Sequence, residues 1–305
     1  MSENEQQTSE QRPAATPLYA VLALMRPEHW VKNLFLFVPA FFAARLAEPV
    51  VLGRTVLAFA AFSLTASAVY VLNDLADAAH DRQHPLKRRR PVASGTLSRR
   101  AAALLMSALL LGGSALAWAL GREVLLVCWL YFALNIFYSF WLKHIAIVDI
   151  ALIALGFLLR VSAGGAAAGV AVSQWLIVLT FLLALILALA KRRGEFVLET
   201  GGGTSRRSLE GYNLPFLDAS MVVCSTVAIV AYLMYCFSPE VTERIGSHHI
   251  YWTAFFAIVG ILRYLQLTLV FNRTESPTWV LLHDVFLQTV LLGWLGCFVW
   301  LLYLG

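Results

Sequence analysis

The stretch Asn73-Asp74-Leu75-Ala76-Asp77-Ala78-Ala79-His80-Asp81 closes an apolar segment and runs into the basic block Arg82-Gln83-His84-Pro85-Leu86-Lys87-Arg88-Arg89-Arg90-Pro91. Four carboxylate or carboxamide groups within nine residues, followed by clustered cations, is the layout of a magnesium-diphosphate site. On a helix, Asn73, Asp77 and Asp81 stand at i, i+4 and i+8, and Asp74 lies three residues before Asp77. Their oxygens therefore project from neighbouring strips of one face. Hard oxygen donors with room for water and phosphate suit Mg2+, whereas Zn2+ favours His or Cys. The plainer reading, a solvated helix end, sits poorly with so much like charge on one face.

The surrounding chain places this face at a membrane. Its 305 residues are 60% hydrophobic and 13% charged, with a mean hydropathy of +0.73, outside the range of a soluble domain. The fold class expected is an all-α integral membrane protein. Apolar runs of about 20 residues fall at 29–46, 53–72, 100–120, 123–142, 146–166, 172–190, 216–237, 249–270 and 279–303, giving nine transmembrane helices. Residues 18–28 read as a short interfacial lead-in helix. Residues 1–17 are polar and lack the charged-then-apolar pattern of a secretory signal. They read as a disordered cytoplasmic tail, leaving 18–305 as one transmembrane domain.

Lys and Arg collect on the cytoplasmic side of membrane proteins. The even-numbered connections carry Arg82, Lys87 to Arg90, Arg99 and Arg100, then Lys143, then Lys191 to Arg193, Arg206 and Arg207, then Arg273. The odd-numbered ones carry only Arg45, Arg54, Arg122 and Arg244. The N-terminus is expected inside, with the aspartates at the cytoplasmic mouth of the bundle. The connections after the second and sixth spans are both long and basic, so two lobes could face each other over a shared cavity and attract anionic phosphates. Nucleic acid is not among the expected partners. Cys128, Cys224, Cys236 and Cys297 are scattered through apolar spans, with neither disulfide nor zinc spacing.

Polar groups at membrane depth are costly and usually line a cavity. Tyr70 lies one turn before Asn73. Asn135, Tyr138 and Ser139 form a stripe that ends at Lys143. Asp149 and Arg160 share a face about 16 Å apart along a helix axis, and Arg160 is expected to need an anionic partner from protein or ligand. Ser162 to Gly169 are all small and should let helices approach closely. Arg263, Tyr264 and Asp284 suggest interhelical pairing. The histidines read as structural, and Trp30, Trp141, Tyr251, Trp252 and Trp279 as interfacial belt residues.

These residues carry a resemblance. Asn73, Asp74, Asp77 and Asp81 at the cytoplasmic end of the second of nine spans resemble the first aspartate-rich motif of the UbiA superfamily of intramembrane prenyltransferases. One branch, the polyprenyl-phosphate phosphoribosyltransferases, is similar in further stretches: Met25-Arg26-Pro27 with Trp30 to Asn33; Asp81, Arg82, His84, Pro85, Lys87, Arg90, Pro91, Ala93 and Gly95; Tyr138, Ser139, Leu142, Lys143 and Asp149; Leu159, Arg160, Gly164 and Gly165; and Lys191, Arg192 and Glu195. The similarity runs from residue 25 to about 212. One departure from the wider superfamily stands out. Members that use a prenyl diphosphate donor have a second aspartate-rich motif after the sixth span, whereas here no aspartate follows Lys191 until Asp218.

The resemblance implies a membrane-embedded, UbiA-type nine-helix enzyme of the cell (inner) membrane, in cell-envelope biosynthesis. It would move 5-phosphoribosyl from 5-phosphoribosyl 1-diphosphate to a polyprenyl phosphate with Mg2+. Asn73, Asp77 and Asp81 would hold the metal, with Asp74, Asp77 and Asp81 as the catalytic carboxylates. Lys32, Tyr70, Lys87 and Arg90 would clamp the diphosphate or ribose 5-phosphate. Lys143, Arg160 and Lys191 would grip the lipid or sugar phosphate, with Tyr138 and Arg192 completing the substrate-binding set. A homo-oligomer is left open. The rival is a prenyltransferase acting on an aromatic acceptor with the same first motif. A transporter is disfavoured because the polar residues gather at one face.

Overall fold

A computed structural model describes residues 17–83, 87–200, 211–272, 280 and 283–304. The sequence readings that concern residues 1–16, His84, Pro85, Arg206, Arg207, Arg273 and Trp279 lie outside it. Every regular element among the described residues is a helix, and eight helices are long and apolar enough to cross a membrane. The helices are α1 (Pro17–Met25), α2 (Val38–Phe42), α3 (Pro49–Asp81), α4 (Arg99–Leu120), α5 (Arg122–Phe140), α6 (Val148–Ala168), α7 (Gln174–Thr200), α8 (Leu214–Phe237), α9 (Pro239–Ile245), α10 (Trp252–Leu265) and α11 (Val285–Val299). α10 and α11 each run on into a turn of π-helix, over Gln266–Val270 and Trp300–Leu304.

Starts follow local chemistry. Pro49 opens α3, where a missing N–H costs nothing. The side chains of Ser98, Asn213 and Asp284 cap α4, α8 and α11 by accepting from Ala101, Phe216 and Leu287 N–H.

The first expected span differs from its expectation. Pro27–Phe37 is a 3-10 helix and only Val38–Phe42 is α-helical. At about 2.0 Å per residue, the tighter coil makes the whole segment about 30 Å long. It packs against α3 and α6, and a Cβ at Gly164 of α6 would collide with the backbone of Leu36. The small-residue run at 162–169 thus serves close approach, as expected. At its other end Phe42 packs edge-on against Trp294 and Phe298 of α11, and Tyr303 Oη donates to the Phe41 carbonyl at 3.0 Å. The first segment therefore touches both ends of the helix series and closes the bundle.

α3 is the central helix, packed on α4, α5 and α6. At 33 residues it is about 50 Å long, some 20 Å more than a hydrocarbon core requires. The excess carries residues 73–81 in unbroken helix. α7 overruns in the same way: its helix continues to Thr200, so Lys191 to Arg193 sit on a helix face and not in the loop expected after residue 190. The three largest apolar clusters among the described residues lie around α3 to α5, between α6, α7 and α8, and between α8, α10 and α11. Arg54, far from the aspartates, donates to the carbonyls of Ala167 at 2.7 Å and Leu120 at 2.8 Å. It satisfies the otherwise unpaired carbonyl ends of α6 and α4.

Candidate active site

At 100° per residue the polar groups ending α3 cover about 100° of its circumference. The fold divides that face in two. Asn73 and Asp77 turn towards α5, where Asn73 Oδ1 meets the Ser139 hydroxyl and Asp77 Oδ1 accepts from Lys143 Nζ at 2.9 Å. Asp74 and Asp81, both buried, turn the other way. Asp74 accepts from Arg26 at 2.6 Å, and Arg90 reaches Asp81 at 2.7 Å and Asp74 at 3.5 Å. The basic loop folds back to bring Arg90 there, its path fixed by Arg82 Nε donating to the Ala93 carbonyl at 3.2 Å. Arg26 sits at φ +51°, at the break between α1 and the 3-10 segment, and stacks over Tyr70 at 5.2 Å. A cleft of about 420 Å3 opens here, lined by Arg26, His29, Asp74, Arg89 and Arg90 among others.

Among the described residues, no three His, Cys, Asp or Glu side chains converge as metal ligands. Asn73 and Asp81 are separated by about 12 Å of helix rise, too far for both to reach one ion easily, whereas Asn73 and Asp77 are about 6 Å apart. Asp77 is also the accessible carboxylate, with 37% of its side chain exposed against 2% for Asp74 and Asp81. An oxygen pair one turn apart, open on the solvent side, fits a hard cation that keeps several waters.

The stripe on α5 links the ends of α3 and α7. Ser139 meets Asn73, and its neighbour Tyr138 accepts from Arg192 of α7 at 3.4 Å. Arg192 is wholly buried, donates to Asp149 at 2.6 Å and pairs with Glu195. Sequence reasoning placed it with substrate, but its guanidinium is committed to protein carboxylates. Arg193, one residue on, turns to the other side and joins Asp218 at 2.7 Å, the Thr268 carbonyl at 2.9 Å and Asn272 at 2.7 Å. It thereby ties α7 to α8 and to the end of α10.

Arg160, expected to need an anion from protein or ligand, has neutral hydrogen-bond partners within the protein. Its donors go to Asn33 Oδ1 at 2.8 Å, the Gly156 carbonyl at 2.7 Å and Tyr131 Oη at 3.1 Å, all neutral, while Phe62, Tyr131 and Phe157 surround the guanidinium at 4.9–5.3 Å. Asp149, on the same face of α6, pairs with Arg192. Cation–π contacts hold such a charge without a counter-ion. Nearby Lys32 is half-buried, and the charges acting on its amine are those of Lys191, Arg160 and Arg26, all positive. Lys87 is exposed on a short turn, and Lys191 is exposed on α7 within 3.9 Å of Glu195. Arg263 pairs with Asp284 at 2.7 Å, the interhelical role expected.

Asn33, Tyr131 and Tyr212 had no assigned role in the sequence. Asn33 directly follows Lys32 at the head of an apolar run. Tyr212 is a lone tyrosine after a polar connection, without a local signal. Its hydroxyl donates to Asp149 Oδ1 at 2.7 Å. Burial first, and then that carboxylate, push its pKa upwards and keep it protonated.

This fold and site define a membrane-embedded transferase. Residues 34–194 match the UbiA prenyltransferase family, and the chain belongs to that family. It is 31% identical over 97% of its length to decaprenyl-phosphate phosphoribosyltransferase of Mycolicibacterium smegmatis, covering 96% of that protein. It is 34% identical over 93% of its length to the enzyme of the same name from Corynebacterium glutamicum, covering 87% of it. A UbiA homolog from Archaeoglobus fulgidus, solved with DMAPP and Mg2+, shares the fold with a TM-score of 0.69 at 18% identity, over 94% of this chain and all of that one.

Proposed function

We propose that this protein transfers the 5-phosphoribosyl group of 5-phosphoribosyl 1-diphosphate to a polyprenyl phosphate, releasing diphosphate. Residues 18–305 act as one catalytic domain. The broken 3-10 segment counts as the first of nine spans, the N-terminus is cytoplasmic, and the aspartates face the cytoplasm from the inner membrane. The observation that carries the reading lies at the end of α7. There Arg192 takes up Asp149 and Glu195, so the helix end offers a neutralised ion network where a donor prenyl diphosphate would call for a second metal. The full-length similarity to two phosphoribosyltransferases supports the same choice.

Displacement at the anomeric carbon passes through an oxocarbenium-like state, and the departing diphosphate is the difficulty. Asn73 and Asp77, with Asp81 assisting through water, would hold Mg2+, which when bound neutralises charge on that leaving group. Asp74 serves the site by holding Arg26 and Arg90 against it. Arg90, Lys87 and Tyr70 clamp donor phosphate oxygens, guanidinium forks and ammonium groups being suited to them. The cations Lys32, Arg160 and Lys191 draw in the lipid phosphate, and Lys143 passes from Asp77 to a substrate oxygen. No general base is required, because a phosphate monoester has its second pKa near 6 and arrives as an anion. Positioning and electrostatics carry the rate.

The test supplies purified protein and Mg2+ with either polyprenyl phosphate and labelled phosphoribosyl diphosphate, or polyprenyl diphosphate and aromatic acids. Labelled lipid is expected in the first mixture. Product in the second alone would establish prenyl transfer instead.

A further inference from the structure

The loop that carries Lys143 is held in an unfavourable shape by a residue from the opposite side of the sequence. Ile147, the last residue before α6, has φ +69° and ψ −46°, a conformation that a β-branched side chain adopts only under constraint. Its N–H donates to Tyr212 Oη at 2.6 Å, and that hydroxyl in turn donates to Asp149 Oδ1 at 2.7 Å. Asp149 offers its other oxygen to Arg192 at 2.6 Å. Gly211 lies so close that a Cβ there would stand 2.5 Å from the Ala146 Cβ. Tyr212 itself is 6% exposed and packed among Ile150, Leu189 and Leu217. The far end of the loop is Lys143, 2.9 Å from Asp77.

We infer that Tyr212 is a positioning residue for Lys143: its hydroxyl pins Ile147 in the strained turn, and the turn sets the lysine against the carboxylate of Asp77. The reason for a strained β-branched residue is then mechanical, since a relaxed turn would point the 142–147 loop elsewhere. The inference rests on the proposed reaction only in calling Lys143 a substrate-handling residue, and the test separates the two. Full-length protein in lipid nanodiscs is treated with an acetylating N-hydroxysuccinimide ester, and acetylation of Lys143 is followed by mass spectrometry, with Lys87 as internal reference. Tyr212→Phe keeps the ring in the core and removes the clasp. Acetylation of Lys143 is expected to quicken about tenfold, the equivalent of one hydrogen bond to a charged group, with Lys87 unchanged.

Gly211→Ala keeps the hydroxyl but forces the two segments apart, and is expected to release Lys143 likewise. In Tyr212→Phe with Ile147→Gly, glycine adopts positive φ without strain, and slow acetylation should return. That rescue is a result a purely structural tyrosine would not give. Lys143 acetylated at the wild-type rate in both Tyr212→Phe and Gly211→Ala would overturn the inference, as would failure of Ile147→Gly to restore protection. Acetylation is read without substrate, so released Lys143 in a protein that shows no phosphoribosyl transfer would uphold the clasp and remove the reaction.

Discussion

The two helices that overrun the apolar layer, α3 and α7, end in opposite ways. α7 closes with arginines that are each taken up: Arg192 by Asp149 and Glu195, Arg193 by Asp218, Thr268 and Asn272. α3 closes with carboxylates on two sides, one buried under Arg26 and Arg90, the other reaching the surface at Asp77. A charge network in which buried guanidinium groups are satisfied from within the protein sets geometry. A carboxylate that reaches solvent beside an oxygen donor one turn away can exchange its lysine for a cation and phosphate. On the proposed reaction the contrast gives chemistry to the end of α3 and support to Arg192 and Arg193 of α7, although both helix ends are polar in sequence.

Removing a member of each set should separate the roles. Asp77→Ala is expected to lower magnesium-dependent transfer by at least a thousandfold, about 4 kcal/mol of lost leaving-group stabilisation, checked by labelled-lipid formation. Arg192→Ala leaves Asp149 buried without its cation, and should cost about 3–5 kcal/mol of stability, read as a lowered unfolding midpoint in detergent. Arg54→Ala, at the opposite end from both, should cost about 2 kcal/mol through two unpaired helix carbonyls while the Michaelis constants stay unchanged. Arg90→Ala should raise the Michaelis constant for the phosphoribosyl donor about tenfold, roughly 1.4 kcal/mol, and that for the lipid less. Equal rises for both substrates would break the assignment of Arg90 to the donor. Arg263→Ala removes a partly exposed pair and should cost less than about 1 kcal/mol.

The helical membrane architecture and the polar end of α3 were legible because their signals are local: apolar run length, and a spacing that holds only on a helix. The same signals miss the 3-10 coil of Pro27–Phe37, since an apolar run reads alike in either coil and the choice depends on packing against Gly164. They also miss that α7 continues past Lys191, because cations look like a loop until their partners on α6, α8 and beyond α10 are known. Asp149 and Arg160 share a helix face, but the partner of each comes from another helix. Tyr212 gave no signal at all, its partners lying more than sixty residues away in sequence.

The division of labour between the helix ends is tested most directly by measuring transfer rate and melting temperature together for Asp77→Ala and Asp218→Asn, the latter loosening the Arg193 network without touching the proposed site. Asp77→Ala is predicted to melt as the wild type does and to lose magnesium-dependent transfer, while Asp218→Asn melts lower and keeps it. Near-normal transfer by Asp77→Ala would contradict the account.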